Sequence, residues 1–468
     1  MGKSATDAVN WDELLTRRHA LSLSSVCLGV WLHAADSLLV ATMMPAIVAD
    51  IGGANLMSWT VALYEIGTIV AGAAGGLLSV RYGLRIPMAL AAGTFTFGCI
   101  TSALAPEMWV LLAGRLIQGL GGGGLMALSF ISIGQLFPRR LIARVMAAVS
   151  TLWGISAFFG PLAGGLFVEY GTWRGGFWFF GLQAGLLTLW ILARIGTRAA
   201  LSTENKHNRF PVFRLACLSA GVISIAFAGV EISIIRTPGF ALAGMAFLAL
   251  FLRLDGQKEE TRLLPKGPIG FREPVSAALT MILCFAMATV AISVYGPLLI
   301  AMLHGASALQ AGYVIACSSI GWTIAAVLVS GLPERHDQRM ILLGMLVLTA
   351  SIIGFAYTVP RGPVWLIAVF AAMEGSGFGM AWTFILRRVM SLANKNEQER
   401  VSGAIPTVQR LGYALGAAYA GIVANAAGLG QHADGTSTNF VATVIFLACL
   451  PLAGIGLFAT YQFVRTSD

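Results

Sequence analysis

Long apolar segments follow one another along almost the whole chain, separated by short polar loops. Backbone N–H and C=O groups find no partner in lipid outside their own segment, so each segment is predicted to be α-helical. A bilayer-spanning helix needs about 20 mainly apolar residues. Fourteen such segments can be delimited, at about 20–47, 57–80, 86–105, 108–136, 143–168, 175–195, 211–235, 238–254, 275–302, 310–331, 339–358, 363–388, 403–427 and 438–463. The pattern predicts an all-α integral membrane protein.

The two longest internal polar stretches, 196–210 and 255–274, flank the apolar pair 211–254. This spacing predicts six helices, an inserted two-helix hairpin and six more helices. The expected parts are an N-terminal segment 1–19, a first bundle 20–195, linkers within 196–274 around the hairpin 211–254, and a second bundle 275–463.

Charge placement supports this topology. The chain has a net charge of +9, with 57% hydrophobic and 11% charged residues, whereas soluble domains carry about 25% charged residues. If all fourteen segments cross, 25 of the 30 basic residues fall on the side of the N-terminus. Cytoplasmic loops carry such an excess, so both termini are predicted to be cytoplasmic. Basic residues in short loops do not indicate a nucleic-acid partner.

A weak internal repeat relates the two halves. Gly76 to Arg85 follows the second helix of the first half, as Gly331 to Arg339 follows the second helix of the second half. The pair Gln118-Gly119 matches Glu374-Gly375 in the fourth helix of each half. Two related halves with a binding site between them are a typical transporter layout.

Four ionisable residues inside spans are candidates for function: Asp36, Glu65, Arg115 and Glu374. Each costs about 2.5–3.5 kcal/mol to insert. Their positions within their segments predict a similar depth, so they could share one cavity. A low dielectric favours the neutral form of a carboxylate and a nearby arginine favours the charged form. Any change in either influence would load or release a proton. The alternative is a static Asp36–Arg115 ion pair that only locks the helices together.

Other polar residues leave alternatives open. His33 lies one turn before Asp36, which fits either a His–Asp relay or a hydrogen-bonded packing histidine. Arg410 can reach the interface with its long side chain or pair across helices. Tyr64 is expected to point away from Glu65, and Glu231 to be solvated at a helix end. The candidate substrate-binding residues are Asp36, His33, Glu65, Gln118 and Glu374.

Several motifs resemble the fourteen-helix drug:proton antiporter branch of the major facilitator superfamily. They occur in the expected order and are Asp36 to Pro45, Gly76 to Arg85, Leu111 to Gly119, Ser156 to Gly165, and Trp173-Arg174. The resemblance implies roles in conformational change for the loop and helix 5 residues Gly76, Arg81, Gly83, Arg85, Gly160, Pro161, Gly164 and Gly165. One departure is Val80, which stands where the family usually has an acid that forms a charge latch.

The resemblance implies a major facilitator fold in a bacterial inner membrane. It also implies proton-driven export of small amphipathic compounds, cations among them, by alternating access. Uptake, or transport of a siderophore, a metabolite or a lipid, is the alternative within transport. A membrane enzyme would need clustered catalytic or metal-binding groups, and the six histidines are scattered. We expect no metal, no cofactor and a monomer, with protons, lipid and a small substrate as its partners.

Overall fold

The computed structural model describes residues 16–194, 210–258, 262–394, 397–429 and 435–465. Most of the N-terminal segment and of the linker 196–210 lies outside these ranges. The described residues form fifteen α-helices and no strand. The helices are α1 Arg17–Ile51, α2 Met57–Tyr82, α3 Arg85–Ala103, α4 Met108–Leu136, α5 Arg139–Tyr170, α6 Trp173–Arg194, α7 Val212–Ala228, α8 Arg236–Gly256, α9 Pro274–His304, α10 Ala308–Val329, α11 Asp337–Arg361, α12 Val364–Leu392, α13 Gln398–Ala426, α14 Gly435–Ala448 and α15 Leu450–Arg465.

The all-helical membrane fold is confirmed, whereas the count of fourteen spans stays a prediction. Within the described residues, twelve segments are long and apolar enough to cross a bilayer, and α14 and α15 together make one of them. Pro451, which lacks an N–H, interrupts this span next to Cys449. The remaining two predicted spans are α7, which has 17 residues, and α13. Helix α13 is more polar because Arg410 and its neighbours face a central cavity.

The predicted repeat agrees with how glycines pack the helices. An added Cβ at Gly119 or Gly123 of α4 would collide with the backbone of α2. An added Cβ at Gly375 or Gly379 of α12 would collide in the same way with the backbone of α10. The same offset of 256 residues separates the two members of each pair. Small residues let membrane helices approach closely, so the equivalent helices of the two halves pack alike.

Two faces of the molecule can be distinguished by their charge. We call the face on which α1 begins the basic face, because four helices that end there carry an arginine in the last turn: Arg81, Arg194, Arg253 and Arg465. In the second half, Arg387 of α12 pairs on this face with Asp337 of α11. In the first half, Arg85 donates instead to the Leu192 carbonyl. The two corresponding loops therefore differ, with an acid–arginine pair in the second half and an arginine–carbonyl contact in the first.

The turn after α2 depends on Gly83, whose φ of 71° lies in the left-handed region. Glycine adopts this conformation without the steric cost that a Cβ would bring. The other loop-motif residues, Gly76 and Arg81, lie at the basic-face end of α2 with open space around Gly76.

Helix α5 lies at the seam between the two bundles, and its motif explains why. An added Cβ at Gly160 would lie 3.0 Å from the Ala35 carbonyl oxygen of α1, and one at Gly164 would lie 2.9 Å from that of Leu39. The next residue, Gly165, faces Leu309 of α10 in the second bundle. Pro161 lies inside the same helix. Close contact on two sides therefore places α5 between α1 and α10.

Helices α2 and α13 form the other seam, and the inserted hairpin covers it because α7 packs on both. At the face opposite the basic face, the side chain of Asn425 closes this seam. Its amide nitrogen donates to the Asn55 carbonyl at 2.8 Å and to the Gly229 carbonyl, at the end of α7, at 2.7 Å. Contacts of this kind close the molecule at the opposite face.

Candidate functional site

A cavity of about 1640 Å³ lies between the two bundles. Near the basic face its walls include Leu77 of α2, Phe130 of α4 and Arg400 of α13, each within two turns of the basic-face end of its helix. Farther in, the cavity extends past Glu65 to Thr60 of the same helix. The structure therefore shows the conformation in which the central cavity extends to the basic face.

Asp36 and Arg115 form a buried ion pair in the first bundle. An Arg115 nitrogen lies 2.5 Å from Asp36 Oδ2, and the two side chains are 3% and 0% exposed. Gln118 donates to Asp36 Oδ1 at 3.2 Å and accepts from Arg115 at 3.1 Å. Every polar group of this cluster thus has a partner, as a low-dielectric interior requires. Arg115 lines the cavity, whereas Asp36 and Gln118 lie behind it.

A second cluster joins the two bundles. Arg410 of α13 donates to Glu65 Oε2 of α2 at 3.1 Å, and another of its nitrogens lies 2.9 Å from His33 Nε2 of α1. The other ring nitrogen of His33 is hydrogen-bonded to the Tyr64 hydroxyl at 2.8 Å. All four residues line the cavity. A charged residue of the second half is therefore held by two titratable residues of the first half.

Tyr64 connects the two clusters. The Arg115 guanidinium lies over its ring, 4.3 Å from the centroid, a cation–π geometry. The hydroxyl of the same side chain binds His33. A continuous path of contacts therefore runs from Asp36 through Arg115, Tyr64 and His33 to Arg410.

Glu374 lies apart from both clusters, on α12. It is 5% exposed and lines the cavity. Among the described residues it forms no ion pair, and the Ser318 side chain of α10 is its hydrogen-bonding neighbour. Aromatic side chains continue along the same wall: Trp322, Phe378 and Trp382.

The structure brings together most, but not all, of the residues that the sequence singled out. His33, Glu65, Arg115 and Glu374 line the one cavity. Asp36 does not line it, so the idea that Asp36 and Gln118 contact substrate directly does not fit this geometry. The static Asp36–Arg115 pair, given as an alternative, describes the observed contact. The His–Asp relay is also absent, because His33 bonds Tyr64 and Arg410 instead.

Two functional candidates were missed or left open by the sequence. Tyr64 was expected to point away, yet it links Arg115 to His33. Arg410 pairs across helices with Glu65 rather than extending to the interface. An arginine two turns into an apolar segment was the available signal, but its partner is 345 residues away in the chain. Glu231 was expected to be solvated at a helix end; it is exposed, but it lies in the loop three residues after α7 and pairs with Arg236, the first residue of α8.

A family profile described as the Major Facilitator Superfamily matches residues 26–417. The chain belongs to the major facilitator superfamily. The match covers the first bundle, the hairpin and most of the second bundle, so this transporter is a multi-pass membrane protein, and its resemblance to the superfamily is confirmed.

Several relatives of the transporter have names that refer to multidrug efflux. It is 29% identical over 472 residues to a protein of Mycobacterium tuberculosis named "probable multidrug-efflux transporter", and the match covers 99% of this chain and 98% of the relative. It is 25% identical over 370 residues to the multidrug efflux pump SdrM of Staphylococcus aureus, covering 78% of this chain and 80% of that pump.

Solved transporter structures share the fold. A bacterial homologue of the lysosomal transporter Spinster, in an inward-facing and unoccupied conformation, superposes with a TM-score of 0.65 at 15% identity. It covers 97% of this chain and 99% of the Spinster homologue. At this identity the likeness concerns the fold alone.

Proposed function

We propose that this transporter exports small amphipathic compounds, cations among them, in exchange for protons, by alternating access. The observation that carries the proposal is the Arg410 cluster. An arginine of one bundle is held by a carboxylate and an imidazole of the other, inside the central cavity. Relative movement of the bundles must act on this contact, and the contact includes groups that can take up protons.

Protonation can be coupled to movement of the bundles because separating a buried ion pair leaves an unpaired charge, which is energetically unfavourable. Removing one partner of a buried ion pair is destabilising by about 3–5 kcal/mol. A proton on Glu65 removes the negative charge, and the bundles can then separate at this point at a lower cost. The titratable and charged groups that interact with Glu65 are Arg410 and Tyr413 of α13, Tyr64 of α2 and Arg115 of α4. Two of these are permanently cationic, so they favour the charged form of Glu65 while they stay close.

Two observations support export as the direction of transport. The excess of arginines supports a cytoplasmic position of the basic face, as the positive-inside rule predicts. The observed cavity would then receive substrate from the cytoplasm, and the other conformation would release it outside. The names of the relatives as multidrug efflux proteins support export. We place the transporter in a bacterial inner membrane with both termini in the cytoplasm.

Proteoliposomes with an imposed pH gradient test the proposal. We expect ethidium to accumulate against its gradient only while the proton gradient lasts, and an ionophore that collapses the gradient to stop accumulation. Glu65→Gln should remove the dependence on the gradient, whereas Glu169→Gln, at an exposed end of α5, should keep it. The proposal would be contradicted if the wild type accumulated ethidium equally with and without the proton gradient. It would also be contradicted if accumulation by Glu65→Gln depended on the gradient as it does in the wild type.

A further inference from the structure

The carboxylate of Glu374 differs from the other two acids in the membrane-spanning core. Asp36 is neutralised by Arg115 and Glu65 by Arg410. Glu374 is 5% exposed and, within the part of the chain that the structure describes, is paired with no cation. Burying a carboxylate without a compensating charge is costly, and the group must bind a proton or a cation. Among the three acids, this is the site where a cation is missing.

The internal repeat shows which cation is missing. Glu374 stands at the offset of 256 residues from Gln118, the offset shared by the packing glycines Gly119 and Gly375. At the same offset from Arg115 the second half has Ala371, which is fully buried. In the first half, the guanidinium at this position neutralises a carboxylate. In the second half, a methyl group takes its place, and a carboxylate one turn away has no cationic partner among the residues that the structure describes.

Aromatic rings continue the wall beside Glu374. Phe378 and Trp382 follow Glu374 at successive intervals of four residues, so the three share one face of α12, about 6 Å apart along the axis. Trp322 of α10 stacks on Phe378 with 5.6 Å between ring centroids and lies 5.8 Å from Trp382. Trp322 also follows Ser318, the neighbour of Glu374, by one helical turn. Faces of tryptophan rings attract organic cations.

We propose that Glu374, Trp322, Phe378 and Trp382 form the subsite for the positively charged group of the substrate, and that this group replaces the arginine absent at Ala371. The ligand class is an organic cation with apolar substituents, such as a quaternary ammonium or phosphonium ion. The proposal rests on the proposed function of cavity-based export and deepens it. It assigns cation recognition to the second bundle, away from the paired acids Asp36 and Glu65.

The same arrangement gives a reason for exchange. One carboxylate can hold a proton or an organic cation but not both, so each displaces the other from Glu374. The other titratable groups near it are Tyr413 and Cys449. Neither is a cation, so neither competes with the ligand for the negative charge.

Equilibrium binding to the purified transporter, without a membrane or a gradient, tests the subsite. The probes are tetraphenylphosphonium, a cation, and triphenylphosphine oxide, a neutral compound with similar rings. We expect the wild type to prefer the cation. Glu374→Gln should weaken cation binding at least tenfold and change binding of the neutral probe less than threefold. Glu169→Gln, the same change at an exposed helix end, should leave both affinities unchanged.

Two further variants keep the test decisive if Glu374→Gln does not fold. Glu374→Asp retains the charge and should retain the preference for the cation. Trp382→Ala should weaken cation binding by about 2- to 30-fold, the range expected for a lost cation–π contact, with a smaller effect on the neutral probe. A wild type without preference for the cation, or variants that lose both probes equally, would overturn the subsite. Cation binding that obeys these expectations without gradient-driven transport would leave the subsite standing and remove only the proton coupling.

Discussion

Replacing Glu65 with glutamine should shift the transporter away from the conformation described here. The substitution mimics a protonated Glu65, because it keeps the shape of the side chain and removes its charge. Arg410 then loses a carboxylate partner that lies 3.1 Å away. The contact joins the two bundles while the cavity extends to the basic face, so its loss destabilises this conformation in particular.

The size of the effect follows from the surroundings of the pair. A fully buried arginine left without its partner costs about 3–5 kcal/mol. Here the two side chains are 20% and 11% exposed to the cavity, and Arg410 keeps its contact with His33. We therefore expect Glu65→Gln to destabilise this conformation by about 2 kcal/mol, which is within the range for a hydrogen bond to a charged group. That energy changes the ratio of the two conformations about 30-fold.

Double electron–electron resonance spectroscopy measures the distance between two spin labels, so it can determine the ratio of the two conformations. Tyr82 at the end of α2 and Ser391 at the end of α12 are exposed, lie on the basic face and belong to different bundles. In a background without the six free cysteines, labels at these sites should report a long distance when the cavity is open to this face. Glu65→Gln should shift most of the population to a shorter distance.

Glu169→Gln serves as the control, since it removes an exposed charge far from the cavity walls and should leave the distances unchanged. The reasoning would be refuted by a Glu65→Gln protein with the distance distribution of the wild type. It would also be refuted by a shift to a longer distance, because the contact would then hold the bundles apart rather than stabilise the open cavity.

Three further predictions concern stability and can be read from thermal unfolding of the purified protein. Asp36→Asn should lower the free energy of unfolding by about 3–5 kcal/mol, because Arg115 stays buried without its partner. An unchanged midpoint of thermal unfolding would mean that the ion pair does not hold the helices together. Gly119→Ala should lower the free energy of unfolding by about 1–3 kcal/mol, because the new Cβ collides with the backbone of α2. Gly76→Ala is the control and should leave stability unchanged, because there is open space around Gly76. Asn425→Ala should lower stability by about 1–3 kcal/mol by leaving two carbonyls unpaired, and equal stability would argue against this closure.

The apolar pattern was sufficient to predict the helices, because a membrane leaves the backbone no alternative. Even α8, the shortest of the predicted spans, forms a helix from Arg236 to Gly256. The glycines of α4 and α12 predicted the repeat, because a residue without a Cβ allows a neighbouring helix to approach closely. This effect depends only on the residue itself and not on the rest of the fold. The break next to Cys449 was not predicted, although Pro451 was its visible cause.

Pairing of the charges was much harder to predict. The free energy of placing a charge in the membrane was enough to identify Asp36, Glu65, Arg115 and Glu374 as candidates. This free energy does not indicate which partner each residue has. Arg410 was noticed without a partner, and Tyr64 was dismissed from its position beside Glu65. Contacts between helices far apart in sequence depend on how each helix is rotated about its axis.

The sequence alone determined that this chain is a bundle of membrane helices in two related halves with a few ionisable groups among them, because local hydrophobicity and glycine content respond only to the solvent and to close neighbours. The tertiary structure decided that Asp36 lies behind Arg115, that Glu65 holds Arg410 across the bundles and that Glu374 pairs with no cation in the part of the chain that the structure describes. Helices that are apolar on nearly all sides carry little information about which side faces inward. Only their packing against one another, which brings residues 345 positions apart into contact, fixes that choice.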